Sequence, residues 1–139
     1  MARYSIGIDL GTTHNAVSYF PLDREQGRGR DQTVLGIPQI TAPGTVEQRA
    51  LLPSFLYLPN VREFPEGSLA LPWDPTPSGG VRGEFARSHG GKVPARLVAS
   101  AKSWLCHAGV DRMEAILPWQ APPDVQRISP LEASAQYLS

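Results

Sequence analysis

The fold of this chain is organised around Ile6-Gly7-Ile8-Asp9-Leu10-Gly11-Thr12-Thr13-His14-Asn15. From Tyr4 to Leu10, apolar residues alternate with small or polar ones, and this period of two is typical of a strand with a buried face. Residues 16–20 form a second strand-like run, so Gly11 is predicted to lie in a tight turn between two strands. The sequence therefore predicts a β-hairpin near the N-terminus.

The predicted turn carries the groups of an anion site. Glycine lets the main chain approach a ligand closely, and successive N–H groups in such a turn form a concave nest, to which the hydroxyls of Thr12 and Thr13 add donors. The Asp9 carboxylate would repel a phosphate unless a hard divalent cation such as Mg²⁺ lay between them. The pattern therefore indicates a metal–nucleotide site. Since Gly, Asp and Thr are also ordinary turn formers, a plain hairpin turn is the alternative.

This stretch resembles the first phosphate motif of the actin, hexokinase and heat-shock-chaperone ATPase superfamily. The form Ile-Asp-Leu-Gly-Thr-Thr-His-Asn-Ala-Val is most similar to the DnaK-type heat shock protein 70 family, which usually carries Asn or Tyr at the position of His14. Sugar kinases share only the Asp-x-Gly-Thr part. No Gly-Lys-Ser/Thr follows the glycine, so the motif is not a Walker A loop.

A second stretch is similar to the same family. In DnaK-type chaperones the phosphate hairpin is followed by a strand and then by an Arg-x-x-Pro-Ser-aromatic-apolar sequence. Four residues stand in that order here, with one extra residue after the arginine: Arg49, Pro53, Ser54 and Phe55. Read from the residues alone, the run is a buried strand after a rigid turn, and both interpretations can hold together.

Composition limits the classes of function. The 139 residues are enough for one domain with a core, and thirteen basic side chains balance thirteen acidic ones, which argues against nucleic acid or an anionic membrane as partner. A single cysteine, Cys106, excludes an internal disulfide and fits a reducing cytoplasm. No apolar run approaches the roughly 20 residues of a membrane span, and no signal peptide is evident. We expect a cytoplasmic protein.

The chain is predicted to have three parts in an α/β fold. Residues 1–58 hold the hairpin and a sheet, with a solvent-facing turn at 21–31. A third strand is predicted at 33–40, at an edge of the sheet or interrupted, because Pro38 cannot donate to a ladder. Residues 59–83 are an irregular insertion rich in proline and glycine, to which no site is assigned. Residues 84–139 are predicted to be mainly helical, beginning with a short helical turn that breaks at Gly90-Gly91.

A longer helix is predicted over residues 94–106, opened by a proline. Its apolar residues follow a helical spacing: Leu97, Val98, Ala101, Trp104 and Leu105. Lys102 lies beside this stripe, so its stem could pack at the edge of the core while its ammonium reaches a cleft. From position alone, an ordinary surface lysine is the commoner interpretation. However, DnaK-type ATPases carry a lysine in an Ala-Lys-x-x-apolar helix that reaches the terminal phosphate, and Ala101-Lys102-Ser103-Trp104-Leu105 matches that spacing.

A last helix is predicted to open with a capping box, because Ser129, Pro130 and Glu132 supply the N-cap hydroxyl, a first-turn proline and the N3 carboxylate. No helix stop signal precedes Ser139, so we expect this part to be truncated.

The resemblance implies an N-terminal fragment of lobe I of an actin-like (ribonuclease H-like) ATPase, which binds ATP or ADP with Mg²⁺. Asp9 would hold Mg²⁺ through water, and phosphates would be cradled by Gly11, Thr12, Thr13 and His14. Lys102 and Asp9 would be the catalytic residues. The remainder of the ATPase domain, unfolded clients and co-chaperones would be partners of the parent protein, and the fragment alone would be inactive.

Two alternatives stay open. A sugar or carboxylate kinase of the same superfamily would use the same hairpin to phosphorylate a substrate hydroxyl. A non-catalytic module would keep the ATPase-like fold as a binding domain.

Overall fold

The computed structural model describes residues 2–22 and 32–139, which form a mixed α/β structure with several antiparallel sheets and few helices. Its elements in chain order are β1 (Tyr4–Leu10), β2 (His14–Pro21), β3 (Thr33–Val34), β4 (Ile37–Ala42), β5 (Thr45–Arg49), β6 (Leu52–Pro53), β7 (Phe55–Tyr57), β8 (Val81–Arg82), α1 (Glu84–Gly90), a 3-10 turn (Pro94–Arg96), β9 (Leu97–Ala99), α2 (Ala101–Leu105) and α3 (Pro130–Gln136). No helix within these described ranges is long and apolar enough to cross a membrane.

The predicted hairpin is confirmed. Strands β1 and β2 pair antiparallel along their whole length, from Tyr4 opposite Pro21 to Leu10 opposite Asn15. Strand β2 begins at His14, two residues before the predicted start at residue 16, because the turn is only three residues long. On its other side β2 pairs with β3 and β6, which completes a four-stranded antiparallel sheet.

The third strand predicted over residues 33–40, at an edge or interrupted, is interrupted at residues 35–36, and the prediction that its second half joins the hairpin sheet is wrong. Strand β3 ends at Val34, and β4 leaves the hairpin sheet to pair with β5 in a separate two-stranded sheet. Leu35 still donates a main-chain hydrogen bond to Val17, and the change of direction follows at Gly36. Glycine weakens a strand and often marks such a bend. The solvent-facing turn predicted at 21–31 lies outside the described residues from position 23 onward.

A third sheet has the order β8-β7-β9, with both outer strands antiparallel to β7. Side chains of β7 alternate between two hydrophobic clusters: Leu56 belongs to one and Tyr57 to the other, and both are fully buried. Helix α1 packs on the Tyr57 side through Phe85 and Ala86, and its end at Gly90 confirms the predicted break. Residues 59–80 contain only an isolated β-bridge and are otherwise irregular.

The single helix predicted over residues 94–106 is wrong in its first half. A 3-10 turn and strand β9 come first, and Ser100 then takes a left-handed conformation with φ 53° before α2 begins. The cause is tertiary: β9 completes the sheet beside β7, where Val98 is 1% exposed. A residue with a branched side chain suits that position. Lys102 remains on a helix, in α2.

The capping box of α3 is confirmed. The Glu132 N–H donates to Ser129 Oγ at 3.1 Å, and the Ser129 N–H donates to the Glu132 carboxylate at 3.1 Å. Helix α3 then buries Ala133 in the Leu56 cluster, and Tyr137, which follows the helix, is buried there too.

Candidate functional site

The turn between β1 and β2 requires a glycine. A Cβ atom added at Gly11 would overlap the main-chain carbonyl oxygen of His14, and a backbone atom cannot move aside as the end of a side chain can. Thr12 and Thr13 complete the turn and are exposed. The chain therefore folds back tightly enough that only glycine fits at its first position.

Ser54 forms hydrogen bonds to the turn. It lies between β6 and β7 and is 2% exposed. Its hydroxyl donates to the carbonyl oxygen of Gly11 at 2.9 Å, and its main-chain N–H donates to the carbonyl oxygen of Thr13 at 2.8 Å. The carbonyl groups at both ends of the turn are thus paired. Within residues 2–22 and 32–139, the N–H groups of Thr12 and Thr13 donate no hydrogen bond. The turn therefore has main-chain donors free for a ligand.

Lys102 lies beside this turn, although 92 residues separate it from Leu10 in sequence. Its ammonium donates a hydrogen bond to the carbonyl oxygen of Leu10, the last residue of β1. The helix is fixed there by packing, because Ala101 is buried in the Leu56 cluster and Leu10 packs against the same cluster. The predicted catalytic lysine and the predicted phosphate turn are thus neighbours.

Asp9 is the penultimate residue of β1 and is exposed. Because side chains alternate along a strand, it points to the opposite face from Ile8. No ion pair involves its carboxylate in the part of the chain that the structure describes. The same part has no group of three or more His, Cys, Asp or Glu residues that could hold a metal directly. Asp9 can therefore offer a metal one carboxylate, as Mg²⁺ sites that retain several waters require.

The remaining predicted residues divide into two groups. His14 opens β2, pairs with Pro53 of β6 and is partly buried next to the turn. Arg49, by contrast, lies at the end of β5, where its guanidinium pairs with Glu47. The second motif is thus split, with Pro53 and Ser54 at the turn and the arginine in another sheet.

Sequence reasoning missed the role of Ser54. The motif placed it after the hairpin in the chain, but gave no reason for a buried hydroxyl there. A Pro-Ser pair before a buried apolar run was the available signal, since a buried serine needs a hydrogen-bond partner. The chain matches no protein-family model, no curated protein and no solved structure.

Proposed function

We propose that this chain supplies the first phosphate loop and the catalytic lysine of an ATPase of the DnaK-type heat shock protein 70 family, in an actin-like lobe. The hydrogen bond from Lys102 to Leu10 carries the proposal. The lysine motif and the hairpin motif each resemble that family separately. The hydrogen bond joins the two motifs, although Lys102 and Leu10 are 92 positions apart in the sequence.

Ser54 supports the chaperone type over the sugar kinase. It comes from the second stretch that resembles DnaK-type proteins, and it is hydrogen-bonded to both ends of the phosphate turn. Sugar kinases share only the Asp-x-Gly-Thr part of the hairpin. The link between the two stretches therefore favours the family in which both occur.

The residues of the turn fit a nucleotide with Mg²⁺. The free N–H groups and hydroxyls of Thr12 and Thr13 would bind the β- and γ-phosphates, with His14 beside them. Asp9 would hold the metal through its waters. When bound, Mg²⁺ neutralises charge on the phosphates.

Lys102 would act on the transferring group. Phosphoryl transfer depends mainly on positioning and on stabilising charge, with little covalent chemistry for the protein to do. The Lys102 ammonium has three donors, of which one is used on Leu10, so the others are free for the γ-phosphate and the attacking water.

Titration of the 139-residue chain with Mg·ATP tests the proposal. The family also uses a second glycine-rich phosphate loop and an adenosine-binding segment, which the proposal assigns to the remainder of the ATPase domain. We therefore expect at best millimolar affinity, about −4 kcal/mol, and no ATPase activity from these residues alone. A micromolar constant would contradict the proposal, because it would mean that these residues form a complete site.

A sharper test uses the two lysines of the chain, Lys92 and Lys102. Selective ¹⁵N-lysine labelling gives one main-chain amide signal for each in a heteronuclear NMR spectrum. We expect millimolar Mg·ATP to shift the Lys102 signal and to leave that of Lys92, which is exposed beyond α1, unchanged. Equal shifts of both signals, or none, would argue against binding at the turn.

A further inference from the structure

A cavity of about 360 Å³ lies beside the hairpin, where Ile8, Asn15 and Val17 line it. Its walls come from β1, β2, β4, the irregular residues 69–80, β8 and the last residues of the chain, and they are mostly apolar. None of the turn residues Gly11–Thr13 lines it, and neither does Lys102. The volume is in the range of pockets that enclose small molecules.

Two buried side-chain oxygens among the described residues have no hydrogen-bond partner, and both belong to residues that line the cavity. These oxygens are the Tyr137 hydroxyl and Asn15 Oδ1. Tyr137 is 6% exposed and Asn15 is 3% exposed. Buried polar groups are nearly always paired, so two unpaired ones around one cavity point to a missing partner.

Arg82 adds a positive charge to the same walls and is 7% exposed. Its guanidinium donates to the main-chain oxygen of Ser139 at 2.9 Å and to Gln136 Oε1 at 3.4 Å. The Asp74 carboxylate is 3.9 Å away, beyond hydrogen-bonding distance. Burial lowers the pKa of Arg82 and the Asp74 charge opposes this, but an arginine stays charged. Among the described residues, the guanidinium uses only part of its five N–H donors in these bonds, so donors remain for a further anion.

We propose that this cavity binds a small amphipathic carboxylate, with its apolar body in the cavity and its carboxylate at Arg82 and Tyr137. The guanidinium and the phenol both donate hydrogen bonds, and a carboxylate accepts both. Burial raises the pKa of Tyr137, so its hydroxyl keeps the proton that it would donate.

The mouth of the cavity matches an elongated apolar ligand. Four of its lining residues are large, apolar and between 42% and 59% exposed: Ile8, Leu35, Trp73 and Leu138. They would cover the part of an alkyl chain that extends beyond the cavity. Removing this apolar surface from water would contribute to binding.

Calorimetry with decanoate below its micellar concentration tests the proposal, with 1-decanol as an uncharged ligand of equal chain length. We expect decanoate to bind about ten- to a hundredfold more tightly than decanol, the ratio that a hydrogen-bonded charge provides. Equal affinity for the two, or no binding of decanoate, would overturn the proposal. This comparison uses the unaltered protein, so it does not depend on the folding of any variant.

Variants of Arg82 and Tyr137 test whether these residues bind the carboxylate. Arg82→Met keeps the apolar stem and removes the charge, so it should reduce the affinity for decanoate about tenfold or more and leave that for decanol unchanged. Tyr137→Phe, which removes only the hydroxyl, should weaken decanoate less. Arg112→Met changes an exposed arginine outside the cavity and is the matched control. Equal loss of decanoate affinity in the Arg82 and Arg112 variants would also overturn the proposal.

Discussion

The ammonium group of Lys102 donates a hydrogen bond to the carbonyl oxygen of Leu10, and the two residues are 92 positions apart in the sequence. The contact joins helix α2 to the end of strand β1, immediately before the turn that begins at Gly11. The ammonium keeps further donors, so Lys102 can contact the hairpin and a phosphate bound at the turn together.

In the parent protein, if it is the ATPase that we propose, Lys102→Ala should lower turnover roughly ten- to a thousandfold, because the change removes one preorganised electrostatic contact to the transferring group. Nucleotide binding and folding should change little, since Lys102 is exposed. Single-turnover hydrolysis measures the effect, with Lys92→Ala as the control. An unchanged rate in the Lys102 variant would make it an ordinary surface lysine.

Gly11→Ala should lower the free energy of unfolding by about 1–3 kcal/mol, because the added methyl group overlaps the His14 carbonyl oxygen and the turn must open. Gly7→Ala is the matched control in the same hairpin. There the new Cβ would lie 3.3 Å from Ser18 Oγ, the end of a movable side chain, so a loss below about 1 kcal/mol is expected. Urea denaturation gives both values, and equal losses would show that the turn does not need glycine.

Ser54→Ala should destabilise the protein by about 1–2 kcal/mol, because the hydroxyl is buried and its hydrogen bond to the Gly11 carbonyl is lost. The variant should also weaken the shift of the Lys102 amide signal caused by Mg·ATP, since the turn is less firmly held. Ser103→Ala, at an exposed position on α2, is the control for both measurements. A Ser54 variant as stable as the Ser103 variant would contradict this role.

The Glu63 carboxyl should make the free energy of unfolding decrease at acid pH. Burial raises the pKa of the Glu63 carboxyl, but three hydrogen bonds together lower it by more: those from the Tyr57 hydroxyl (2.6 Å) and the Asn60 N–H (2.7 Å) and that with His89 (3.2 Å). The pKa therefore lies below its ordinary value of 4.5. The unfolded chain then binds the proton more readily than the folded one. The stabilisation is therefore present above pH 4.5 and is lost as the pH falls through the lower pKa of the folded state.

The measurement is the urea midpoint between about pH 6 and about pH 3, compared with Glu63→Gln, which cannot titrate. The difference between the two proteins should shrink as the pH falls below 4.5. Tyr57→Phe removes one hydrogen bond to the carboxylate and should make the acid loss smaller. Parallel midpoint curves for the unaltered protein and Glu63→Gln would refute the effect.

Two predictions made from short segments were confirmed, the hairpin and the start of the last helix. The alternation from Tyr4 to Leu10 and the glycine after it specify a strand and a turn within a few residues. Ser129 and Glu132 satisfy each other's N–H groups three positions apart. In both, the stabilising contacts are local, so the local sequence contains the information.

The prediction over residues 94–106 failed because the strand that pairs with its first half, β7, is distant in the sequence. Leu97 and Val98 fit an apolar helix stripe and a buried strand equally well. They form a strand because β9 pairs with β7 through main-chain hydrogen bonds. Over residues 33–40 the reason was different: β4 pairs with its immediate neighbour β5, so it does not join the hairpin sheet.

The sequence by itself identified the residues that we propose for the chemistry of the turn, because Asp9, Gly11 and Lys102 stand in stretches that resemble known motifs. Only the tertiary structure decided that Lys102 meets Leu10 and that Ser54 pairs with both ends of the turn. It also decided that Arg82 and Tyr137 share a cavity, although no motif contains them. Such contacts depend on how distant segments pack, and the burial and pairing that stabilise them exist only once the chain has folded.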